Sequence, residues 1–322
     1  MTARTASLVV EWDNVRFSEV RRGYRILERL AGQIRDQQRE PDAASVKDFL
    51  VLYNAEELDG APLRAVAEGL GHDGVPVQVI ATRGLGYYQL KNEGARRSGG
   101  DVVVFADSDA VPEDGWLARI LAPFADPAVA VVAGNSYVEP TGLWGKAFGL
   151  AWYFPARVED DNRLTVTDKF LANNVAFRRD VFEAFPFPED RERYRSQCVT
   201  LAETLRAHGV TMHLCTAARA AHPAPRGVAG LVRSALCNGH DAVLRARAHG
   251  EGGSGLRAAY WDLRGNLRRS FSNVVHHRER VGLSRLGVPA ALAVACAYHG
   301  LWCLGEVATR FRPALVRRLY RL

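Results

Sequence analysis

Residues 101–116, DVVVFADSDAVPEDGW, place an apolar run directly before two aspartates that are one residue apart. The run from Val102 to Phe105 predicts a buried β-strand. Asp107 and Asp109 follow in a tight turn, where their repulsion costs energy unless a cation offsets it. Because a hard divalent ion prefers oxygen ligands, the pair predicts either a Mg²⁺ or Mn²⁺ site that also holds a diphosphate, or a solvated turn.

Two other uses of paired aspartates fit this stretch less well. A calcium loop needs another oxygen ligand two residues on and then a glycine, but Val111 and Pro112 stand there. A phosphatase-type pair usually lies near the N-terminus and precedes Gly-Thr, whereas Ala110 and Val111 follow here. The calcium loop is rejected, and the phosphatase type remains a remote alternative.

Strand and helix patterns alternate on both sides of the aspartates. Apolar strand patterns cover residues 7–12, 46–54, 75–81, 128–138 and 210–222, and helical patterns cover 17–40, 58–71, 87–100, 113–125 and 198–209. This rhythm predicts an α/β fold with a Rossmann-like, doubly wound, mostly parallel sheet flanked by helices. Such sheets bind ligands beyond the C-terminal ends of their strands, where the aspartates lie.

Size and cysteine content set the class of protein. The chain has 322 residues, 48% of them hydrophobic, which suffices for one large domain or a domain with an appendage. Five widely spaced cysteines argue against a disulfide framework or a zinc site and fit a reducing compartment. The first strand pattern begins without a preceding apolar run, so we expect no cleavable signal peptide.

Basic residues are concentrated in the C-terminal third. From Arg226 onward there are sixteen basic and five acidic residues, whereas residues 1–225 hold 26 basic and 31 acidic ones. We therefore predict a main domain at 1–225 and a basic helical region at 226–322. The excess charge indicates an anionic partner, and the accompanying apolar segments favour a membrane surface over nucleic acid.

Two segments of this region are candidates for membrane contact. Residues 227–247 alternate apolar side chains with arginines, as expected of an amphipathic interfacial helix or a helix packed on the sheet. Residues 286–304 carry no formal charge but have basic flanks on both sides. A re-entrant or interfacial helix fits these flanks better than a single span, and a buried core or dimer helix is the alternative.

The residues around the aspartates resemble a known family. The segment ATRGLGYYQLKNEGARRSGGDVVVFADSDAVPEDGWL, residues 81–117, resembles the central block of family 2 glycosyltransferases, which have the GT-A fold. Asn92 precedes Asp107 by 15 residues, as in that family, and residues 172–189 resemble its later, acceptor-side block. The resemblance extends over residues 7–225 and implies transfer of a sugar from a nucleotide-sugar donor, assisted by Mn²⁺ or Mg²⁺.

The resemblance also implies roles for individual residues. The implied nucleotide-sugar-binding residues are Glu11, Asn54, Arg83, Lys91, Asp107 and Ser108. Asp109 is the implied metal ligand, with His222 as a second ligand. The implied donor and acceptor pocket contains Trp116, Asn173, Asn174, Gln197 and Cys198, although a core position for Trp116 is equally compatible.

The chain departs from the family at the catalytic base. Inverting members carry a Glu-Asp pair where this chain has Gln197 and Cys198, and neither is a carboxylate. A substitute base could come from Glu189, Asp190 or Glu192, and we select Glu192. The expected enzyme is an inverting glycosyltransferase at the cytoplasmic face of the cell membrane, acting on a cell-surface glycan, lipid-linked or small-molecule acceptor. The alternative is a nucleotide-sugar-binding or scaffolding protein without catalysis.

Overall fold

The computed structural model describes residues 5–40, 43–152, 154, 157, 162–190, 192–248, 250 and 256–320. The chain forms two compact units. The first consists of Met1–Ser136, Val158–Glu189 and Cys198–His222, and the second of Tyr137–Arg157, Asp190–Gln197 and Pro223–Leu322. The predicted division at residue 225 stays a prediction, since the second unit also takes two segments from earlier in the chain.

Nine strands form one mixed sheet. In chain order they are β1 Thr5–Glu11, β2 Ser45–Asn54, β3 Gln78–Thr82, β4 Val102–Asp107, β5 Val111–Pro112, β6 Val131–Val138, β7 Leu164–Thr167, β8 Asn174–Arg178 and β9 Met212–His222. Their spatial order is β3-β2-β1-β4-β8-β6-β9-β5, and β7 pairs with β9. The first four strands are parallel, whereas β8 runs antiparallel to both β4 and β6.

Eleven α-helices lie in the described part of the chain. They are α1 Val20–Arg39, α2 Ala61–His72, α3 Tyr87–Arg97, α4 Trp116–Leu121, α5 Gly142–Ala151, α6 Arg179–Ala184, α7 Gln197–Ala207, α8 Gly227–Ala248, α9 Leu256–His277, α10 Val288–Phe311 and α11 Pro313–Tyr320. Helices α1, α2, α3 and α4 alternate with the first strands. The predicted α/β class is confirmed.

The central strand β4 is apolar and buried from Val102 to Ala106 because helices cover both faces of the sheet there. In β4, Val102 and Val104 join a core cluster that contains the apolar face of α1, whereas Val103 and Phe105 join the cluster under α3 and α7. Successive side chains of a strand point to opposite faces, so one uninterrupted apolar run serves both cores. This run ends at Asp107, the last residue of β4.

The helices of the second unit pack closely around α10. A side chain at Gly239 of α8 would collide with the backbone of Trp302, and one at Gly305 of α10 would collide with the backbone of Leu236. These two glycines therefore let the backbones of α8 and α10 approach one another. By length and composition, one helix among the described residues, Arg285–Phe311, could cross a membrane.

The structure corrects the interpretation of residues 227–247 as an interfacial helix. Leu231 and Val243, two of the apolar residues expected to face lipid, are buried. The polar His240 and Asp241 are buried as well, and Asp241 accepts the backbone N–H groups of Tyr194 and Arg195. Helix α8 is thus an internal helix of its unit, since packing on neighbouring helices covers its apolar side.

Candidate active site

The carboxyl ends of two parallel strands meet at the aspartates. Glu11, the last residue of β1, is paired in register with Asp107, the last residue of β4. The backbone N–H of Ser108 donates to the Glu11 carbonyl at 3.2 Å, which continues the ladder into the turn. Strand β5 then pairs with β9, with Val111 opposite Ala221. The turn that carries Asp109 is therefore fixed beside the end of β9.

This pairing brings the two predicted metal ligands together. Asp109 Oδ2 lies 3.6 Å from His222 Nε2, with 8% and 15% of the two side chains exposed. Both side chains are thus largely shielded from solvent. The sequence prediction selected both residues, although nothing local to either one predicts their proximity.

Arg22 of α1 braces this pair. It was not among the predicted site residues. Its Nε donates to the backbone oxygen of Asp109 at 2.8 Å, and its Nη2 donates to that of Ala221 at 3.0 Å. One guanidinium thus ties the aspartate turn to the residue before His222. The signal available in the sequence was that Arg22 lies four residues before Ile26, in line with the apolar face of α1.

The pair fits a divalent ion whose other ligands come from a substrate. Two atoms bound at about 2.1 Å to one ion lie about 3.0 Å apart at right angles and about 4.2 Å apart when opposite. The observed 3.6 Å lies between these limits. Among the described residues no group of three or more His, Cys, Asp or Glu could hold a metal. A two-residue site leaves most coordination positions for oxygen atoms of a substrate.

Asp107 has a different environment from Asp109. Its Oδ1 accepts Lys91 Nζ at 2.7 Å, and the Lys91 side chain is fully buried. Its Oδ2 accepts Asn14 Nδ2 at 2.9 Å, and the Tyr87 hydroxyl lies 2.8 Å from both carboxylate oxygens. The resemblance implied that Lys91 binds the nucleotide sugar. In the structure Lys91 is instead the buried counter-ion of Asp107.

The ends of β1 and β2 supply further polar groups. The backbone N–H of Asn14 donates to Glu11 Oε2 at 3.2 Å, and the N–H of Asn54 donates to Asp13 Oδ1 at 3.2 Å. Glu11, Asn54 and Ser108 are all buried, and Ser108 Oγ has no hydrogen-bond partner among the described residues. Asp13 and Asn14 were not predicted, although they follow the first strand directly.

Arg83 remains on the surface. It follows β3, and its side chain is exposed. Among the ion pairs of the described residues it takes no part. Its predicted contact with a nucleotide therefore stays a prediction.

Of the two positions that the sequence left open for Trp116, the structure shows the one in the core. Its side chain is 1% exposed and its Nε1 donates to Asn174 Oδ1 at 2.8 Å. Asn174 Nδ2 in turn donates to the Ala218 carbonyl at 3.0 Å. These bonds join α4, β8 and β9 inside the core. Asn173 accepts the Ser136 hydroxyl at 2.8 Å.

The position of the missing base is occupied by a protonated thiol. Cys198 is buried, and burial raises the pKa of its thiol above the ordinary value. Its backbone N–H donates to the Tyr88 hydroxyl at 3.3 Å. Gln197 is held by its own side chain, whose Nε2 donates to the Asp190 carbonyl at 2.8 Å. Neither residue can accept a proton near neutral pH.

The substitute carboxylates are all engaged. Glu192 Oε1 accepts Arg317 of α11 at 2.8 Å. Burial raises the pKa of Asp190, but the N–H of Glu192 and the Arg193 guanidinium outweigh it, so the pKa lies below its usual value. Glu189 accepts Asn92 Nδ2 at 3.1 Å. An arginine partner stabilises the ionised carboxylate and weakens it as a base.

Comparison with known proteins finds one matching family model and several similar structures. Residues 59–185 match the family model described as glycosyl transferase family 2. The mannosyltransferase PcManGT from Pyrobaculum calidifontis, in complex with GDP-Man and Mn²⁺, has a TM-score of 0.57 and 17% identity over 97% of this chain and 88% of its own. GalNAc-T7 with UDP, GalNAc and Mn²⁺ has a TM-score of 0.51 and 15% identity over 70% of this chain and 45% of its own. No curated protein sequence matches the chain. At such identities these structures establish a shared fold, the GT-A fold, and residues 59–185 in addition resemble glycosyl transferase family 2.

Proposed function

We propose that this chain is a metal-dependent glycosyltransferase that moves a sugar from a nucleotide-sugar donor to an acceptor hydroxyl. The convergence of Asp109 and His222 at the carboxyl edge of the sheet carries this proposal. Mn²⁺ and nucleotides in the structural neighbours support the same class of donor and Mn²⁺ as the ion, with Mg²⁺ as the alternative.

Different residues at the strand ends would hold different parts of the nucleotide-sugar donor. Asp109 and His222 would hold the ion, which when bound offsets charge on the departing diphosphate. Arg22 keeps the two ligands in register through its bonds to the backbone. Glu11 and Asn54 present buried polar groups at the neighbouring strand ends, where a base and a ribose would lie.

The absence of the usual carboxylate base limits how the acceptor can be activated. A protonated Cys198 cannot take the proton of an incoming hydroxyl. We therefore infer either that Glu192 leaves Arg317 to act as the base, or that the acceptor oxygen is already ionised, as in a phosphate or carboxylate. A single displacement at the anomeric carbon inverts its configuration. The acceptor class comprises a glycan, a lipid-linked compound or a small molecule.

The test is release of free nucleoside diphosphate from a panel of nucleotide sugars, with and without Mn²⁺. Asp109→Asn and His222→Gln should each lower kcat/KM by about 100-fold or more. Asp114→Asn is the matched control, because that carboxylate lies in the next turn with its side chain 95% exposed. Turnover that is equal with and without metal, and equal in all three variants, would overturn the proposal.

A second candidate function is binding of a nucleotide sugar without transfer. The Gln197 and Cys198 pair favours it, because the residues that replace the usual base accept no proton. Both functions predict that donor and Mn²⁺ raise the melting temperature of the wild type but not of Asp109→Asn. Only the binding function predicts that this shift occurs without diphosphate release for every donor and acceptor supplied.

A further inference from the structure

Helix α9 of the second unit exposes a band of apolar and aromatic side chains. They are Leu256, Tyr260, Trp261, Phe271 and Val275, each between 38% and 59% exposed. At about 100° per residue, these five side chains project within an arc of about 140°. The buried residues Ala259 and Ser270 occupy the adjoining side of the helix, and the buried Val274 lies at the edge of the arc, in line with Leu256. One side of α9 thus packs inward, while a neighbouring side with apolar and aromatic residues faces outward.

Three arginines share the exposed arc. Arg257, Arg264 and Arg268 are exposed, and their helical positions fall between those of the apolar residues. The guanidinium of Arg264 lies 5.1 Å from the centroid of the Trp261 ring. We call these eight residues the α9 band. Exposure of an aromatic side chain to water is unfavourable in free energy. A surface that combines several such side chains is typical of an interaction site.

All the charged residues of the α9 band are positive. The acidic residue of α9, Asp262, lies about 100° beyond the edge of the arc. The band therefore combines three cations with tyrosine, tryptophan and phenylalanine and contains no carboxylate. Aromatic rings favour the boundary between hydrocarbon and water, and arginines favour phosphate oxygens. This pairing complements an anionic lipid surface.

We propose that the α9 band docks this protein on an anionic membrane, with the aromatic rings among the lipid headgroups and the arginines on their phosphates. The inference is independent of the transfer reaction. It differs from the membrane contact predicted at residues 227–247, whose Leu231 and Val243 are buried, whereas the α9 band is exposed. The predicted contact of residues 286–304 stays a prediction.

Co-sedimentation of the full chain with phospholipid vesicles tests the docking. The wild type should pellet with phosphatidylcholine vesicles that contain about 30% phosphatidylglycerol, and about 0.5 M NaCl should release most of it. Arg264→Glu/Arg268→Glu should weaken the partition at least about 30-fold, since two cations are lost. Trp261→Ala/Phe271→Ala should weaken binding at both salt concentrations, because it removes the apolar part.

A matched control separates local docking from total charge. Arg21→Glu/Arg25→Glu on α1 makes the same change in net charge at two exposed arginines of the first unit. This variant should bind vesicles as the wild type does, and circular dichroism should show all variants folded. The proposal is overturned if the control loses as much binding as the α9 variant, or if the wild type ignores anionic vesicles. It is also overturned if the band instead mediates dimerisation or retention of RNA.

Discussion

The buried ion pair between Lys91 and Asp107 makes the sharpest prediction. Lys91 has no exposed surface, and its Nζ lies 2.7 Å from Asp107 Oδ1. In Lys91→Met the carboxylate remains buried and keeps only the Tyr87 hydroxyl and the Asn14 amide as donors. Both donors are neutral, so the charge loses its compensation while it stays out of water.

The expected magnitude follows from that geometry. Removal of one partner of a buried pair costs about 3–5 kcal/mol, because the other charge is left unpaired. Lys91→Met/Asp107→Asn removes both charges, and it should recover most of the stability lost in Lys91→Met. The coupling free energy of the double-mutant cycle should therefore exceed about 2 kcal/mol.

Urea unfolding at pH 7 measures all four proteins of the cycle. Circular dichroism and tryptophan fluorescence are followed together, since a chain with two units need not unfold in one step. Lys47→Met is the control, because that lysine is exposed, and its unfolding free energy should stay within about 0.5 kcal/mol of the wild type. If Lys91→Met is as stable as the control and instead raises the KM for the donor, Lys91 acts on the diphosphate and our interpretation of the pair is refuted.

Three other changes have defined outcomes. Arg22→Leu removes both bonds of the brace and should weaken apparent Mn²⁺ affinity about 10- to 100-fold in a metal titration of activity, and an unaltered titration would contradict the brace. Burial, with the charge of Asp262, raises the pKa of Glu306 from 4.5 to about 7. Between these two values the folded state holds a proton that the unfolded state has lost, so stability falls as the pH rises from about 4.5 to about 7 and levels off above that. Glu306→Gln should accordingly stabilise the chain by about 1–2 kcal/mol at pH 8 and have little effect at pH 4, and equal urea midpoint shifts at both values would rule this out. Cys198→Ala should lower kcat less than about tenfold, since loss of a true general base costs about 100-fold or more.

Much of the first unit could be predicted because its signals are local. The run from Val102 to Phe105 is apolar at every position and rich in β-branched residues, which favours a strand covered on both faces. Asp107, at the end of that strand, follows from the rule that parallel sheets bind ligands at this edge, whereas Glu11 and Asn54 were selected through the resemblance to family 2 glycosyltransferases. These residues needed no knowledge of their partners.

The sequence by itself determined the α/β order and the aspartate pair at the end of a buried strand, because each depends on the periodicity of a short segment or on a motif, whereas His222 was selected only through the family resemblance. Only the tertiary structure decided which partner each polar or amphipathic surface meets. It placed Lys91 on Asp107, Arg22 behind Asp109, and Trp116 in the core. It also buried α8 and left the α9 band exposed. A helical period shows that one side is apolar, but whether that side meets protein or solvent depends on segments far away in the chain.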